Sequence, residues 1–346
     1  MPENKKDIKS MKKTEIEEFV LSISEPKYRA NQVFKWIQKA GIEDFSKMTD
    51  VSAKLRKIFY DNFVIFNCAI EKKLISVYDN TIKYLFRLFD GEFIEAVLMK
   101  YKYGYTLCIS MQAGCRMGCR FCATAVGGLR RDLYPSEMLS QIHAAEKDAG
   151  VRVSHVVLMG MGEPLDNFDN TLRFLELVSN GDGLNLGMRN ISLSTCGLVP
   201  EIDALAEKRL QLTLSVSLHA PTDEIRREIM PITRKYGVDG ILEACRRYTD
   251  ATSRRISFEY ALIEGLNDSD ECAFMLAGKL KGMLCHINLI PANKIEGQSF
   301  KGSGNERTGG FSAILKSKGL NVTVRRRLGA DINASCGQLR GNVMQN

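Results

Sequence analysis

A chain of 346 residues with 45% hydrophobic and 26% charged residues has the composition of a globular protein with room for one large core and a smaller appended unit. It has no apolar run of about eighteen residues, which excludes a helical membrane span, and its start, Met1 to Asp7, lacks the apolar centre of a signal peptide, so a cytoplasmic location is expected. Ten cysteines in that compartment are expected to be reduced or ligated, and a net charge of +7 points weakly to an anionic partner, nucleic acid before membrane.

Residues 1–63 read as a small helical unit. Thr14 is placed to cap a helix over 15–21, with acidic residues in its first turn, where the helix dipole favours them. Pro26 interrupts the chain, and 28–39 carries Val33, Phe34, Trp36 and Ile37 at helical spacing. A third helix is expected over 52–60. The first 60 residues hold 13 Lys and Arg against 9 Asp and Glu, so +4 of the chain's +7 lies here. An RNA-docking module and a merely solvated basic bundle both fit that surplus.

From 64 to 100 the pattern changes to strands, over 67–74, 82–89 and 93–99, with Asp79-Asn80 and Asp90-Gly91 as turns, a short antiparallel meander leading into the rest of the chain. Beyond it, short apolar strands alternate with longer helical stretches: 106–111, 155–159, 191–194, 212–217, 256–260, 286–289 and 322–325. Such alternation without hairpin turns predicts a parallel sheet with helical crossovers, a partial (β/α)6 barrel of the TIM type filling 101–346. Active sites of barrels collect at the C-terminal ends of the strands.

The notable motifs fall there. Gly114-Cys115-Arg116-Met117-Gly118-Cys119-Arg120-Phe121-Cys122 follows the first barrel strand and sets three cysteines at the spacing Cys-x3-Cys-x2-Cys. A structural zinc site is closed by four ligands, and no fourth is supplied locally. A [4Fe–4S] cluster held by three thiolates keeps one iron open for chemistry. Gly160-Met161-Gly162-Glu163-Pro164 follows the second strand, with glycines for close backbone approach and a carboxylate able to accept from a ligand ammonium; an ordinary strand-to-loop turn has the same look. Ser194 to Gly197 ends the third strand, Ser217 to Pro221 the fourth, and Asn288 to Asn293 follows the sixth. As a set they read as walls of one ligand site. Near the C-terminus, Arg325-Arg326-Arg327 precedes Ala334-Ser335-Cys336-Gly337; this is either a thiol activated beside bound phosphates or a buried structural cysteine next to a solvated basic run.

The cysteine spacing resembles the radical S-adenosylmethionine (SAM) superfamily. Together with Met159 to Asn167, Ser217 to Pro221 and Ala334 to Leu339, the ordered set resembles the RlmN/Cfr family of radical SAM RNA methyltransferases over essentially the whole chain. The resemblance implies methylation of an adenosine in 23S rRNA, at C2 for RlmN members, some of which also modify the adenosine 3′ of the tRNA anticodon. Met161 to Pro164 and Ala123 to Gly128 look more like RlmN. Cfr-like methylation at C8 is the alternative, as is a radical SAM enzyme with a non-RNA substrate.

The resemblance also implies roles. Cys115, Cys119 and Cys122 would hold one [4Fe–4S] cluster, and Gly162, Glu163, Ser194, Ser217, Leu218, His219 and Asn293 would bind SAM. Cys336 would carry a methyl group from a first SAM. Glu95 would act as general base on the ring proton, and Cys108 would release the product through a transient disulfide with Cys336. An electron donor of flavodoxin or ferredoxin type and a monomeric state are implied too. Asn333 and Ser335 depart from the Asp and Ala common in the family, and Cys196 adds a thiol that reads as small buried packing.

Overall fold

Three helices open the chain in the computed structural model, which describes residues 5–293 and 300–339; Met1 to Asn4 of the polar start lie outside the described residues. The first, α1, spans Lys13–Ser22. It starts ahead of the expected cap: Thr14 lies inside the first turn, Lys12 is the N-cap, and the Glu15 carboxylate accepts from the Lys12 amide at 2.5 Å. Helix α2, Tyr28–Gln38, buries Ala30, Val33, Phe34 and Ile37, while half-buried Trp36 donates its indole N–H to Asp50 at 2.5 Å. Helix α3, Ala53–Asn62, is capped by Ser52, whose hydroxyl accepts from the Leu55 amide. Phe19, Phe59 and Phe63 close the small core with centroids 4.6–5.6 Å apart.

This unit is fastened to the rest by buried polar contacts. The Lys9 ammonium, fully buried, donates to Asn67 Oδ1 and Ser140 Oγ, both at 2.8 Å. Desolvation lowers its pKa to about 8. Gln38 donates to the Lys9 carbonyl at 2.7 Å.

The remainder is built on one ten-stranded sheet whose strands lie side by side in chain order. These are β1 (Ala69–Ile75), β2 (Ile82–Arg87), β3 (Phe93–Tyr101), β4 (Gly104–Cys108), β5 (Val153–Leu158), β6 (Ile191–Thr195), β7 (Thr213–Ser217), β8 (Ile256–Leu262), β9 (Cys285–Pro291) and β10 (Val322–Val324). From β1 to β4 the pairing is antiparallel, and from β4 to β10 it is parallel. The parallel strands are joined by crossovers containing α4 (Pro135–Ala149), α5 (Phe168–Ser179), α6 (Val199–Glu207), α7 (Asp223–Ile229) with α8 (Val238–Thr252), α9 (Asp270–Leu280) and α10 (Asn305–Ser317). Near-continuous apolar runs such as Ile256–Leu262 suit strands covered on both faces. With β1 and β10 as edges the barrel stays open.

The 64–100 meander is continuous with this sheet: Val97 stands opposite Cys108, so Glu95, Val97 and Met99 share the face of Cys108. β4 is shorter than the expected 106–111, because past Cys108 the chain turns under the loop after β5, with Gly160 N–H on the Ile109 carbonyl at 3.0 Å. An unforeseen hairpin, Gln112–Gly114 with Leu129–Asp132, frames the cysteine loop.

Candidate functional site

The cysteine loop leaves this hairpin and is tied down on several sides. Arg116 makes a bidentate contact to Asp166 at 2.6–3.0 Å, Arg120 N–H donates to the Ile229 carbonyl at 2.9 Å, and Ala123 N–H donates to the Gly337 carbonyl at 2.7 Å. Gln112 locks it to the loop after β5, accepting from the Glu163 amide at 2.9 Å and donating to Asp132 and Asp166. Gly114 has φ +81°, and a Cβ there would stand 1.9 Å from the Gly128 carbonyl oxygen. Gly114→Ala is therefore expected to cost on the order of 2 kcal/mol or more and to splay the cysteine loop. A lowered denaturation midpoint and a lowered iron content after anaerobic reconstitution are the readouts; wild-type values for both would show that the hairpin yields without strain.

Cys115, Cys119 and Cys122 all line one cavity of about 170 Å3 at the C-terminal ends of the barrel strands. Burial pushes Cys115 up to about 12 and raises Cys119 and Cys122 as well. Buried thiols become thiolates only when a cation takes the proton's place, which is the chemistry of a metal centre. Among the described residues no three His, Cys, Asp or Glu side chains close on a single ion. Thiolates that each bind a different iron of a cluster stand further apart than that.

Gly162, Glu163, Ser194, Ser217, His219 and Asn293 line the same cavity. Leu218 does not: its side chain is fully buried behind the wall, and its carbonyl accepts from Arg226 at 3.0 Å. Gly162, at φ +98°, allows the close approach expected, since a Cβ there would meet Gln112 Cβ at 2.5 Å. Buried Glu163 accepts from the Leu165 amide at 3.1 Å and the Cys196 amide at 2.7 Å, and burial raises its pKa. His219 stands at φ +58° with Ala261 N–H donating to its Nδ1 at 2.9 Å. Burial lowers its pKa to about 3, so the ring is neutral with its proton on Nε2. Phe121 packs edge-on against it at 4.8 Å.

A second cavity of about 90 Å3 adjoins the first, and Cys336 lines both. Cys108 opens into the second, together with Val97, Met99 and Arg327. Burial, then the charge of Cys336, pushes the Cys108 thiol up to about 12. Arg325 borders both cavities, its pKa held well above the ordinary value chiefly by the neighbouring Cys336 sulfur and then by Glu259, which lies 4.0 Å away. The Cys336 segment is pinned through its backbone: Asn293 donates to the Cys336 carbonyl at 3.1 Å and Thr124 to the Leu339 carbonyl at 2.7 Å.

Glu95 lines neither cavity. It is buried in an ion pair with Lys83 at 2.9 Å, and Lys83 also donates to the Asn333 carbonyl at 3.2 Å, which links Glu95 to the segment carrying Cys336. Asn333 sits at φ +50°, a conformation asparagine tolerates well. Cys196 is buried as expected of a packing residue, yet it also lines the first cavity. Glu259 was missed in the sequence; its signal is a lone carboxylate in the middle of the apolar strand β8, where Asn288 donates to it at 2.8 Å.

An open parallel barrel with three cysteines on the loop after its first parallel strand defines a radical SAM enzyme, and residues 109–276 match the radical SAM superfamily. Residues 6–65 match the ribosomal RNA large subunit methyltransferase N-terminal domain. The chain is 49% identical over 340 residues to a "Probable dual-specificity RNA methyltransferase RlmN" of Alkaliphilus oremlandii, covering 98% of this chain and 99% of that one. It is 50% identical over 326 residues to a protein of the same name from Clostridium botulinum, covering 94% and 95%. The crystal structure of a radical SAM methyltransferase from Sphaerobacter thermophilus superposes with a TM-score of 0.93 at 41% identity, over 97% of this chain and all of that one. The chain belongs to the RlmN family of radical SAM RNA methyltransferases. Membership implies a [4Fe–4S] cluster and SAM, and the buried thiols around one cavity fit that requirement. No helix among the described residues is long and apolar enough to cross a membrane.

Proposed function

We propose that this chain methylates C2 of an adenosine in 23S rRNA, and the adenosine 3′ of the anticodon in tRNA, by way of a methyl group carried on Cys336. The observation that carries the reading is the position of Cys336, shared between the cavity with the three loop cysteines and the cavity with Cys108. The relatives' name, dual-specificity RNA methyltransferase, supports both RNA classes.

In this reading Cys115, Cys119 and Cys122 would hold the cluster. Gly162, Glu163, Ser194, Ser217, His219 and Asn293 position SAM, with Glu163 offering a carboxylate to its ammonium and His219 an Nε2–H; Leu218 contributes its backbone. Cluster and SAM supply a 5′-deoxyadenosyl radical when bound, fed by a flavodoxin- or ferredoxin-type donor.

The remaining work belongs to the chain. The Cys336 sulfur takes a methyl from a first SAM; that carbon gives up one hydrogen atom to the radical that the bound cofactors would supply and bonds to the ring, and the adduct's one surplus electron would return to the cluster. Arg325 lines both cavities beside Cys336. Glu95 takes the ring proton once the target base is in place; its ion pair with Lys83, which also donates to the Asn333 carbonyl, ties it to the segment that carries Cys336. Cys108 attacks the Cys336 sulfur and forms a disulfide; the bond from that sulfur to the methylene carbon breaks, and the base leaves with its electron pair and takes up a proton to complete the methyl group, after which exchange with a cellular thiol resets the pair. The 1–63 helical unit is the RNA-docking module and the protein acts as a monomer.

The test is mass spectrometry of nucleosides after the anaerobically reconstituted protein acts on a 23S rRNA fragment or tRNA with SAM and a reductant. 2-Methyladenosine in both RNAs is expected. An 8-methyl product would replace the C2 reading, and SAM cleavage without RNA methylation would overturn the substrate.

A further inference from the structure

Arg226 on α7 is fully buried, yet its guanidinium forms no ion pair among the described residues. It donates to the carbonyls of Cys196 at 2.6 Å, Leu218 at 3.0 Å, Ser217 at 3.1 Å and Tyr236 at 3.4 Å, and to the Thr233 hydroxyl at 2.9 Å. Asp223 reaches it only as a longer-range charge, its carboxylate accepting from the Val238 amide at 2.6 Å. Carbonyl dipoles satisfy the donors and leave the charge uncancelled. Asp223 is the anion it feels, at longer range, and a buried cation so placed is stabilised by any further anion brought near it.

The cysteine cavity lies behind two of these carbonyls: Cys196 and Ser217 both line it. Arg120 N–H donates to the Ile229 carbonyl at 2.9 Å, and a Cβ on Gly118 would lie 3.6 Å from Pro231, so the cysteine loop rests on the segment that follows Arg226.

We propose that Arg226 is the fixed countercharge of the iron–sulfur cluster and raises its reduction potential. The proposal rests on the ligand set given above. Three thiolates on a [4Fe–4S]2+ core leave a net charge of −1, and uptake of one electron makes it −2. A cation held nearby in a low-dielectric interior stabilises the second state more than the first. A guanidinium does not deprotonate in a protein, so the bias is constant across physiological pH. Arg226 acts through the cluster and is a positioning charge, not a catalytic residue.

The experiment is an EPR-monitored redox titration of the reconstituted cluster, without RNA, in wild type, Arg226→Lys and Arg226→Gln. Lysine keeps the charge and loses the five-donor fork, whereas glutamine loses the charge. Arg226→Lys is expected to titrate close to wild type. Arg226→Gln is expected to shift the ratio of reduced to oxidised cluster at least tenfold towards oxidised, about 59 mV for one electron.

Thr233→Asp provides a second route should Arg226→Gln fail to fold. It sets a carboxylate against the same guanidinium nitrogen, with Thr233→Asn as its uncharged control; the aspartate is expected to lower the potential and the asparagine to leave it. Equal potentials in Arg226→Gln and wild type, equal shifts in both Arg226 variants, or equal potentials in the two Thr233 variants would overturn the proposal. Failure of the ligand set looks different: Cys119→Ala would still load a complete cluster.

Discussion

Cys336→Ala is expected to abolish RNA methylation and to leave SAM binding at its wild-type affinity. The loss should be on the order of 10^4-fold or more, the scale seen when a covalent nucleophile is removed from an enzyme. Its sulfur is the one atom in the scheme that both receives the methyl group and joins the RNA. An sp2 carbon of adenine is a poor nucleophile, so direct polar transfer from SAM offers no fallback. The fold should survive the change, because the contacts that seat the segment are made to its backbone: Asn293 to the Cys336 carbonyl, Ala123 to the Gly337 carbonyl, Thr124 to the Leu339 carbonyl. Equilibrium binding of SAM and nucleoside mass spectrometry on one preparation separate the two effects. Methylation at the wild-type rate would end the methyl-cysteine route.

Much of this site was legible in the sequence because the barrel writes itself in local signals. Apolar runs mark the parallel strands, and the motif at the end of each strand reports on the same rim. Leu218 is the exception: the strand ends at Ser217, and past it the chain turns through left-handed His219, which brings the imidazole to the cavity while Leu218 is buried in the core.

Other features depend on long-range placement that no local pattern carries. Glu95 and Cys108 look like unremarked strand residues, and only the resemblance singled them out. They share a face because β3 and β4 pair in one register, and a segment more than two hundred residues later folds back over them, so that Cys108 shares a cavity with Cys336 while Glu95 is tied through Lys83 to Asn333. Lys83 is the clearest case. A lysine in a meander strand reads as solvated, yet its side chain is 5% exposed and pairs with Glu95. Arg226 reads as one of several charges in α7, and only its burial and its carbonyl partners set it apart. The cap of α1 moved for a smaller reason: the Glu15 carboxylate reaches back to the Lys12 amide and starts the helix before Thr14.

Cys108→Ala is expected to stop the cycle one step later and leave protein covalently joined to RNA. In the proposed sequence, methyl transfer to Cys336 and bond formation to the ring do not use Cys108; only release does. The adduct should run as a slow band on a denaturing gel, at up to one equivalent per protein, with multiple turnover lost. In the wild type the release step should depend steeply on pH. Burial, the larger cause, still holds the Cys108 pKa above the ordinary thiol value when Cys336 is bonded to the RNA and uncharged, so the thiolate is the minor form at neutral pH. Its fraction rises about tenfold per pH unit below that pKa, since only the deprotonated form attacks sulfur. Rapid-quench measurement of adduct decay should therefore show release accelerating from pH 7 to pH 9 in wild type. The same assay should find no decay at either pH in Cys108→Ala. A variant that turns over without accumulating adduct would remove Cys108 from the mechanism, and a flat wild-type profile would mean that a step other than thiolate attack limits release.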